Sequence, residues 1–177
     1  MVIRALPILC GTIPDLSYVI VGDGPFRDQL ESLALSLGVR NRVVFLGQVS
    51  DEDLPDMYAL ADVFVMPSRE CLSENDVEGF GMVFLEANAC GKPAVGGRSG
   101  GIPEALVDGV TGFLVDPHDP KGVAAALIRL LTSKDLAESF GKHGRLRAVQ
   151  DFSWARVAER VLTIMEAALD EAHEGSA

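Results

Sequence analysis

Apolar runs of strand length alternate with segments of helical period along almost the whole chain, and this alternation limits the fold more than any other feature. A strand buried on both faces reads as a short continuous apolar run, whereas a half-buried one alternates apolar with polar residues. The runs "LSYVIVG" (16–22), "RVVFLG" (42–47), "DVFVMP" (62–67), "KPAVGG" (92–97) and "TGFLVD" (111–116) are of the first kind. Helical segments lie between them. "PFRDQLESLALSLG" opens with Pro25, which suits the first helical position, and closes on Gly38. "SDEDLPDMYALA" offers Ser50 or Asp51 as a cap, and "DPKGVAAALIRLLTS" offers Asp119 ahead of Pro120. Strand runs separated by helices predict an α/β fold: a parallel sheet with helices on both faces.

With 177 residues, 48% of them hydrophobic, the chain is long enough for one well-buried core and short for two. Fifteen Lys plus Arg against 26 Asp plus Glu leave a net charge of -11, which opposes non-specific binding to nucleic acid or to an anionic membrane. Cys10, Cys71 and Cys90 are an odd set without metal-ligand spacing, so neither a disulfide framework nor a zinc site is expected. No apolar run approaches about 18 residues, and "MVIRALPILCG" is too short and too weakly basic for a signal peptide. A cytoplasmic protein is expected. From Ser153 to Leu169 the residues Trp154, Val157, Val161, Ile164, Met165 and Ala168 form one stripe at helical spacing, read as a core-facing amphipathic helix.

One stretch breaks the pattern. "SRECLSENDVEG" (68–79) is polar and aperiodic between a strand run and a helix, where α/β folds place ligands. It leads into "DVEGFGMVFLEANACGKPAVGG" (76–97), which carries Glu78 ahead of a glycine turn and Glu86 eight positions on, within an apolar run. If a helix begins near Gly81, the N–H groups of Gly81, Met82 and Val83 have no intrahelical acceptor and point out of its first turn. Peptide dipoles add partial positive charge there, and glycine lets an anion approach the backbone closely, which makes a phosphate site. Glu86 then lies about five residues, or roughly 7 Å, along the axis. A carboxylate that near a diphosphate is repelled unless it accepts from hydroxyls, and a ribose cis-diol offers two. Glu78, on the other side of the phosphates, would take the hydroxyls of a sugar. The residue types thus fit a nucleotide bearing a hexose on its far phosphate. A plainer account also exists: acidic residues near a helix N-terminus stabilise the macrodipole by about 0.3–1 kcal/mol without any ligand. Glu86 stands beyond the first turn, where that account weakens. On the residues alone both readings stay open.

The segment E-G-F-G-x-x-x-x-E from Glu78 to Glu86 is followed by "EANACGKPAV" and "SGGIPEALVDGVTGFLVDP" and preceded by "YVIVGDGPFRDQLESLALSLGVRNRVVFLGQVSDEDLPDMYALADVFVMPSR". In order and spacing these blocks resemble the carboxyl-terminal, donor-binding half of a retaining glycosyltransferase of the GT-B fold, in the family called glycosyltransferase group 1 or family 4. A lone E-x7-E is weak, but these ordered blocks, covering nearly the whole chain, are specific. The resemblance implies a Rossmann-like half of a GT-B fold. It implies Glu78, the catalytic candidate, at the donor sugar, and the backbone of Phe80, Gly81, Met82 and Val83 at the sugar and diphosphate. It implies Glu86 at the ribose, Gln48, Val49 and Asp51 around the base, and Gly22, Asp23 and Gly24 lining the cleft. Residues 1–150 would be the nucleotide-sugar domain, truncated at its start, 151–172 an amphipathic helix, and 173–177 a frayed tail. The substrate would be a nucleotide sugar, GDP-mannose in preference to a UDP sugar on the strength of the long 68–81 loop with Asp76 and of "GQVSD". No metal and no cofactor are implied.

Two departures from the family pattern matter. The family carries a G-R and a K-G element just before the region where this chain starts, and its Arg and Lys neutralise the donor diphosphate. Neither is in this sequence, so the first strand of the sheet is expected to be missing. The amino-terminal domain, which binds the glycan or lipid acceptor, is also not in it. Charge-assisted hydrogen bonds contribute about 1.5 to 3 kcal/mol each, so losing both cations would weaken donor binding roughly a hundredfold or more. No turnover is expected from this chain alone. The full-length enzyme would be cytoplasmic or peripheral at the inner face of the membrane, and the terminal helix, which in the family crosses to the other domain, could drive self-association here. The alternatives are a sugar-nucleotide epimerase of similar architecture, or a remnant that binds nucleotide or a partner without catalysis. Of the remaining residues, Gly96, Gly97, Gly100 and Gly101 suit either a ligand approach or a strand-to-helix turn. Arg98 and Lys92 are candidates to replace the missing cations, His118, His143 and His173 read as structural or exposed, and Cys90 reads as core.

Overall fold

The computed structural model describes residues 1–70 and 77–174. In chain order the described elements are α1 (Val2–Thr12), β1 (Tyr18–Val21), α2 (Arg27–Ser36), β2 (Val43–Gly47), α3 (Leu54–Leu60), β3 (Phe64–Met66) and α4 (Met82–Ala89). They continue with β4 (Ala94–Gly97), α5 (Ile102–Ala105), β5 (Gly112–Val115), α6 (Pro120–Thr132), α7 (Lys134–Asp151) and α8 (Trp154–Glu174). Each strand falls inside its predicted run. Helix starts differ slightly. The Asp119 side chain caps α6 by accepting from the N–H of Lys121 at 2.9 Å. α2 begins at Arg27 rather than Pro25, and α3 is entered through Asp53 rather than Ser50 or Asp51. Ser50 instead closes the turn before α3, its Oγ accepting from Asp53 N at 3.1 Å and donating to Asp53 Oδ2 at 2.6 Å.

All pairings between strands are parallel, and they join the strands as a pair, β1–β2, and a trio, β3–β4–β5. A doubly wound sheet has the spatial order three-two-one-four-five-six. The observed pair and trio each follow chain order, as strands on either side of the switch point do in that arrangement. The edges of β1 and β3 flank a cleft of about 220 Å³ lined by Met1, Val2, Tyr18, Ile20, Val65 and Met66, among others. Both sheets rest on one helical layer. α1 packs on α6, and their Leu6, Leu9, Val123 and Leu127 are buried beneath Tyr18, Ile20, Val65 and Phe113.

On the other face Phe84, Leu85, Ile102 and Leu106 form a second cluster, and α4 packs on α7. The pair β1–β2 is less covered than its apolar runs predict. Val19, Val21, Val44 and Leu46 alternate outward and are exposed, because the short α3 packs on α4 instead of lying over them. The stripe on the last helix also departs from the reading as core: Trp154 is 80% and Ile164 68% exposed. α8 meets the rest of the molecule at α7, and its apolar face finds no described element to cover it. No described helix is long and apolar enough to cross a membrane.

Candidate active site

Helix α4 begins where the glycine turn places it. Gly81, its N-cap residue, has φ +87° and ψ +53°, a left-handed conformation that an L side chain adopts only at a cost. Space forbids a side chain as well, since a Cβ on Gly81 would lie 2.7 Å from Cδ2 of the buried Phe84. The backbone therefore reverses sharply into the helix. The N–H groups of Met82 and Val83, in the first turn, have no acceptor one turn back. Met82 is half exposed, while Val83 and Phe80 are half-buried, with the Phe80 ring 5.7 Å from that of Phe152.

Glu78 and Glu86 stand on either side of this turn, and both are half-buried. The carbonyl of Glu78 accepts from the N–H of Gly101 at 2.9 Å. This fixes the role of the four glycines. A Cβ on Gly101 would collide with the carbonyl of Gly79, one on Gly100 with that of Glu78, and one on Gly97 with that of Ser68. Gly100 and Gly101 thus admit the backbone of the 78–80 loop and Gly97 that of Ser68, while a Cβ on Gly96 would meet the side chains of Ile102, Phe84 and Leu106, so none of the four leaves room for a ligand. Glu70 adds a second tie, its Oε1 accepting from Gly100 N at 2.8 Å while its own N–H donates to Ser99 Oγ at 2.9 Å.

Glu86 is held by a residue that motif reading missed. The phenol of Tyr58, on α3, donates to Glu86 Oε2 at 2.8 Å. Burial first, and then the hydrogen bond to Glu86, push the Tyr58 hydroxyl well above its ordinary value, so it stays protonated and a donor. The only sequence signal was an amphiphilic ring on the helix after the Gln48–Asp51 loop.

The loops after β1 and β2 meet each other. Gly22 N–H donates to Gly47 O at 2.7 Å, and both glycines take positive φ, at +111° and +76°. Gly24 N–H donates to Asp23 Oδ1 at 2.9 Å. Gln48, Val49 and Asp51 follow Gly47 and lead into α3. Among the described residues no hydrogen bond joins these two loops directly to the 78–86 segment. The connection runs through α3 and Tyr58.

Neither substitute cation serves the turn. Arg98 is committed to Asp108, Nη2 to Oδ2 at 2.7 Å, and also donates to the Leu114 carbonyl at 3.3 Å. Burial pushes the Asp108 carboxyl up, but hydrogen bonds from Leu114 and Arg98 outweigh it and hold the group below its ordinary value. Lys92 lies past the C-terminal end of α4, roughly 12 Å along the axis from the turn for a helix of this length. His118 and His143 are exposed, as expected. Cys90 is half-buried rather than core, its thiol 3.8 Å from the Pro55 carbonyl. Cys71 and Asp76, and with them half of the polar 68–79 loop, lie outside the described residues, as do the 175–177 end and the side chain of His173.

A parallel sheet wound with helices on both faces, and a helix N-terminus opened by a left-handed glycine, define one Rossmann-like half of a GT-B fold. The chain belongs to the glycosyl transferases group 1 family, whose model matches residues 1–147. It is 45% identical over 163 residues to the GDP-mannose-dependent alpha-(1-6)-phosphatidylinositol monomannoside mannosyltransferase of Mycolicibacterium smegmatis, a match spanning 90% of this chain and 43% of that one. Among solved structures it is similar to Anabaena HepE in complex with UDP, with a TM-score of 0.82, 27% identity, and coverage of 94% of this chain and 44% of that one. It is also similar to the C-terminal domain of a glycosyl transferase group 1 family protein from Francisella tularensis, with a TM-score of 0.74 and 25% identity, covering 86% of this chain and 77% of that one. The chain thus spans less than half the length of the curated relative and corresponds to the carboxyl-terminal half of the fold.

Proposed function

We propose that residues 1–150 bind the donor of a hexosyl transfer, a nucleotide sugar, GDP-mannose in preference to a UDP sugar. The observation that carries this is the Gly81 turn, which opens α4 toward an anion while Glu86, held by Tyr58, stands about one and a half turns along the same helix. The diphosphate takes the N–H groups of the first turn, Glu86 the ribose, and Glu78 the hexose. Phe80, Gly81, Met82 and Val83 contribute backbone. Gln48, Val49 and Asp51 hold the base, and Gly22, Asp23 and Gly24 line the cleft between. The preference for GDP-mannose is supported by the mycobacterial relative's dependence on that donor, against a UDP-bound neighbour of lower identity.

Transfer proceeds with retention at the anomeric carbon. As the glycosidic bond breaks, negative charge gathers on the departing diphosphate, and a fixed helix N-terminus stabilises it without reorganisation. Glu78, accepting from sugar hydroxyls, fixes the hexose over that turn. The acceptor, a glycan or lipid, binds on a surface that this chain does not supply, so the chain alone is expected to bind donor without turning it over. A single chain leaves the α8 stripe in water, and self-association by covering it with a second copy is the expected consequence, visible as a concentration-dependent sedimentation coefficient that Ile164→Lys abolishes.

Ligand-observed NMR with GDP, GDP-mannose, UDP and UDP-glucose at millimolar concentration tests the reading. The expected result is selective binding of the guanine nucleotides, with saturation transfer to the ribose protons abolished by Glu86→Ala. Equal signals in wild type and Glu86→Ala would overturn it.

A further inference from the structure

We propose that Tyr58 is a positioning residue for Glu86, holding one carboxylate oxygen so that the other is presented to the ribose hydroxyls. The inference rests on the assignment of Glu86 to the ribose. Its geometry is independent of that assignment. Glutamate is among the side chains that lose most rotamer freedom when immobilised, so a carboxylate that must accept from a diol binds better if it is held beforehand. The Tyr58 hydroxyl does this at 2.8 Å, engaging Oε2, and among the described residues no side-chain donor engages Oε1. A neutral phenol donor also keeps the carboxylate an acceptor on both oxygens.

What fixes Tyr58 is a stack of three rings. Tyr58 meets Phe64 edge to face at 5.5 Å, and Phe64 meets Phe84 the same way at 5.5 Å. Phe84 is fully buried and is the residue that leaves no room for a Cβ on Gly81. One ring therefore bounds the phosphate turn and, through Phe64 and Tyr58, sets the ribose carboxylate. Tyr58 also lies on the helix that follows the Gln48–Asp51 loop. A shift of α3 moves the base loop and Glu86 together, so base, ribose and phosphate contacts share a common support.

The test compares dissociation constants for GDP and UDP with those for their 2′-deoxy forms, in wild type, Tyr58→Phe and Glu86→Ala. The readout is the deoxy-to-ribo ratio. Hydrogen bonds to a charged group predict a wild-type ratio of about 10 or more, falling to about 1 in Glu86→Ala. Tyr58→Phe keeps the ring on Phe64 and removes only the hydroxyl. It is expected to lower the ratio about threefold or more by weakening the ribonucleotide while leaving the deoxynucleotide alone. A role in packing alone would leave the ratio at its wild-type value, and that outcome overturns the proposal while the ribose assignment stands. A ratio near 1 in wild type overturns both. Side-chain coupling constants of Glu86 in the ligand-free protein provide a second readout: one χ1 rotamer in wild type and averaging in Tyr58→Phe are expected, and averaging in both would sink the proposal regardless of ligand.

Discussion

The N–H of Gly101 donates to the carbonyl oxygen of Glu78 at 2.9 Å, so the turn after β4 holds the loop that carries this carboxylate. Gly101 has an ordinary φ of -82°, and what it lacks is room, because a Cβ would run into the carbonyl of Gly79. Gly101→Ala is therefore expected to push the 78–80 backbone aside. Overpacking of this kind costs about 1–3 kcal/mol, or a fall in Tm of about 2–4 °C per kcal/mol for a chain this long. Gly11→Ala, on α1, meets nothing within 4 Å and should be neutral or stabilising by up to about 1 kcal/mol. Differential scanning calorimetry of the two variants separates them, and equal melting temperatures would show that the glycine turn carries no packing constraint.

Arg147, on α7, ties the end of α5 to Phe152. Its Nη1 and Nη2 donate to the carbonyls of Ala105 and Glu104, each at 2.6 Å, and its guanidinium stands 4.7 Å from the Phe152 ring centre. These carbonyls end α5, where no helical donor remains for them. A lysine keeps the charge but loses the fork and the planar stacking surface. Arg147→Lys is expected to cost about 1–3 kcal/mol by leaving one carbonyl unpaired. Chemical denaturation with an unchanged m-value and a lower midpoint would bear this out, and wild-type stability in the variant would contradict it.

How much of this was legible in the sequence differs by element. The strands and α6 were, because an apolar run between helical segments has few other meanings and Asp119 ahead of Pro120 is an explicit cap. α7 was not. "KDLAESFGKHGRLRAVQD" is polar, and the face it turns to α4 is made partly of glycines: Gly141 lies against the Gly91 carbonyl, and Gly144 against the Asn88 side chain. Close approach of backbones replaces the apolar stripe that periodicity detects. The α8 stripe failed in the opposite sense, since a pattern shows that a face is apolar and says nothing of what covers it. At the site, Glu78, Gly81 and Glu86 were visible as a spaced motif. Tyr58 was not, because a tyrosine 28 positions away from its carboxylate partner leaves no local signature.

The alkaline limit of stability should follow the tyrosines. Burial pushes the Tyr18 hydroxyl up to about 12, against an ordinary value of about 10. A group whose folded value is raised contributes stability that is present in full below its unfolded value and is lost as pH rises through the folded one. Tyr18 should therefore stabilise the protein undiminished up to about pH 10, with the contribution fading between about pH 10 and pH 12. With only two tyrosines in the chain, absorbance at the phenolate band resolves the event. Tyr18→Phe should remove part of the alkaline loss of stability, and a phenolate transition centred near the ordinary value in the folded protein would rule out the burial.

The cleft between β1 and β3 makes a last, constructive prediction. β1 is paired only with β2, and β3 only with β4, among the described strands, so each turns an unpaired edge toward the other across apolar walls. An inserted strand would find hydrogen-bonding partners on both sides and bury its side chains on both faces, which calls for a continuous run of valine and isoleucine. Met1 lines the cleft, and burial, with Arg4 and Arg69, holds its amine below its ordinary value, so the charged terminus is poorly placed there. Extending the chain ahead of Met1 with such a run and a short turn should raise Tm and slow amide exchange in Tyr18–Val21 and Phe64–Met66. An extension of equal length with prolines at alternate positions also removes the buried amine but cannot complete the ladders. If both extensions raise Tm equally, the gain comes from the terminus and the cleft does not take a strand; if only the first does, the pair and the trio become a single sheet.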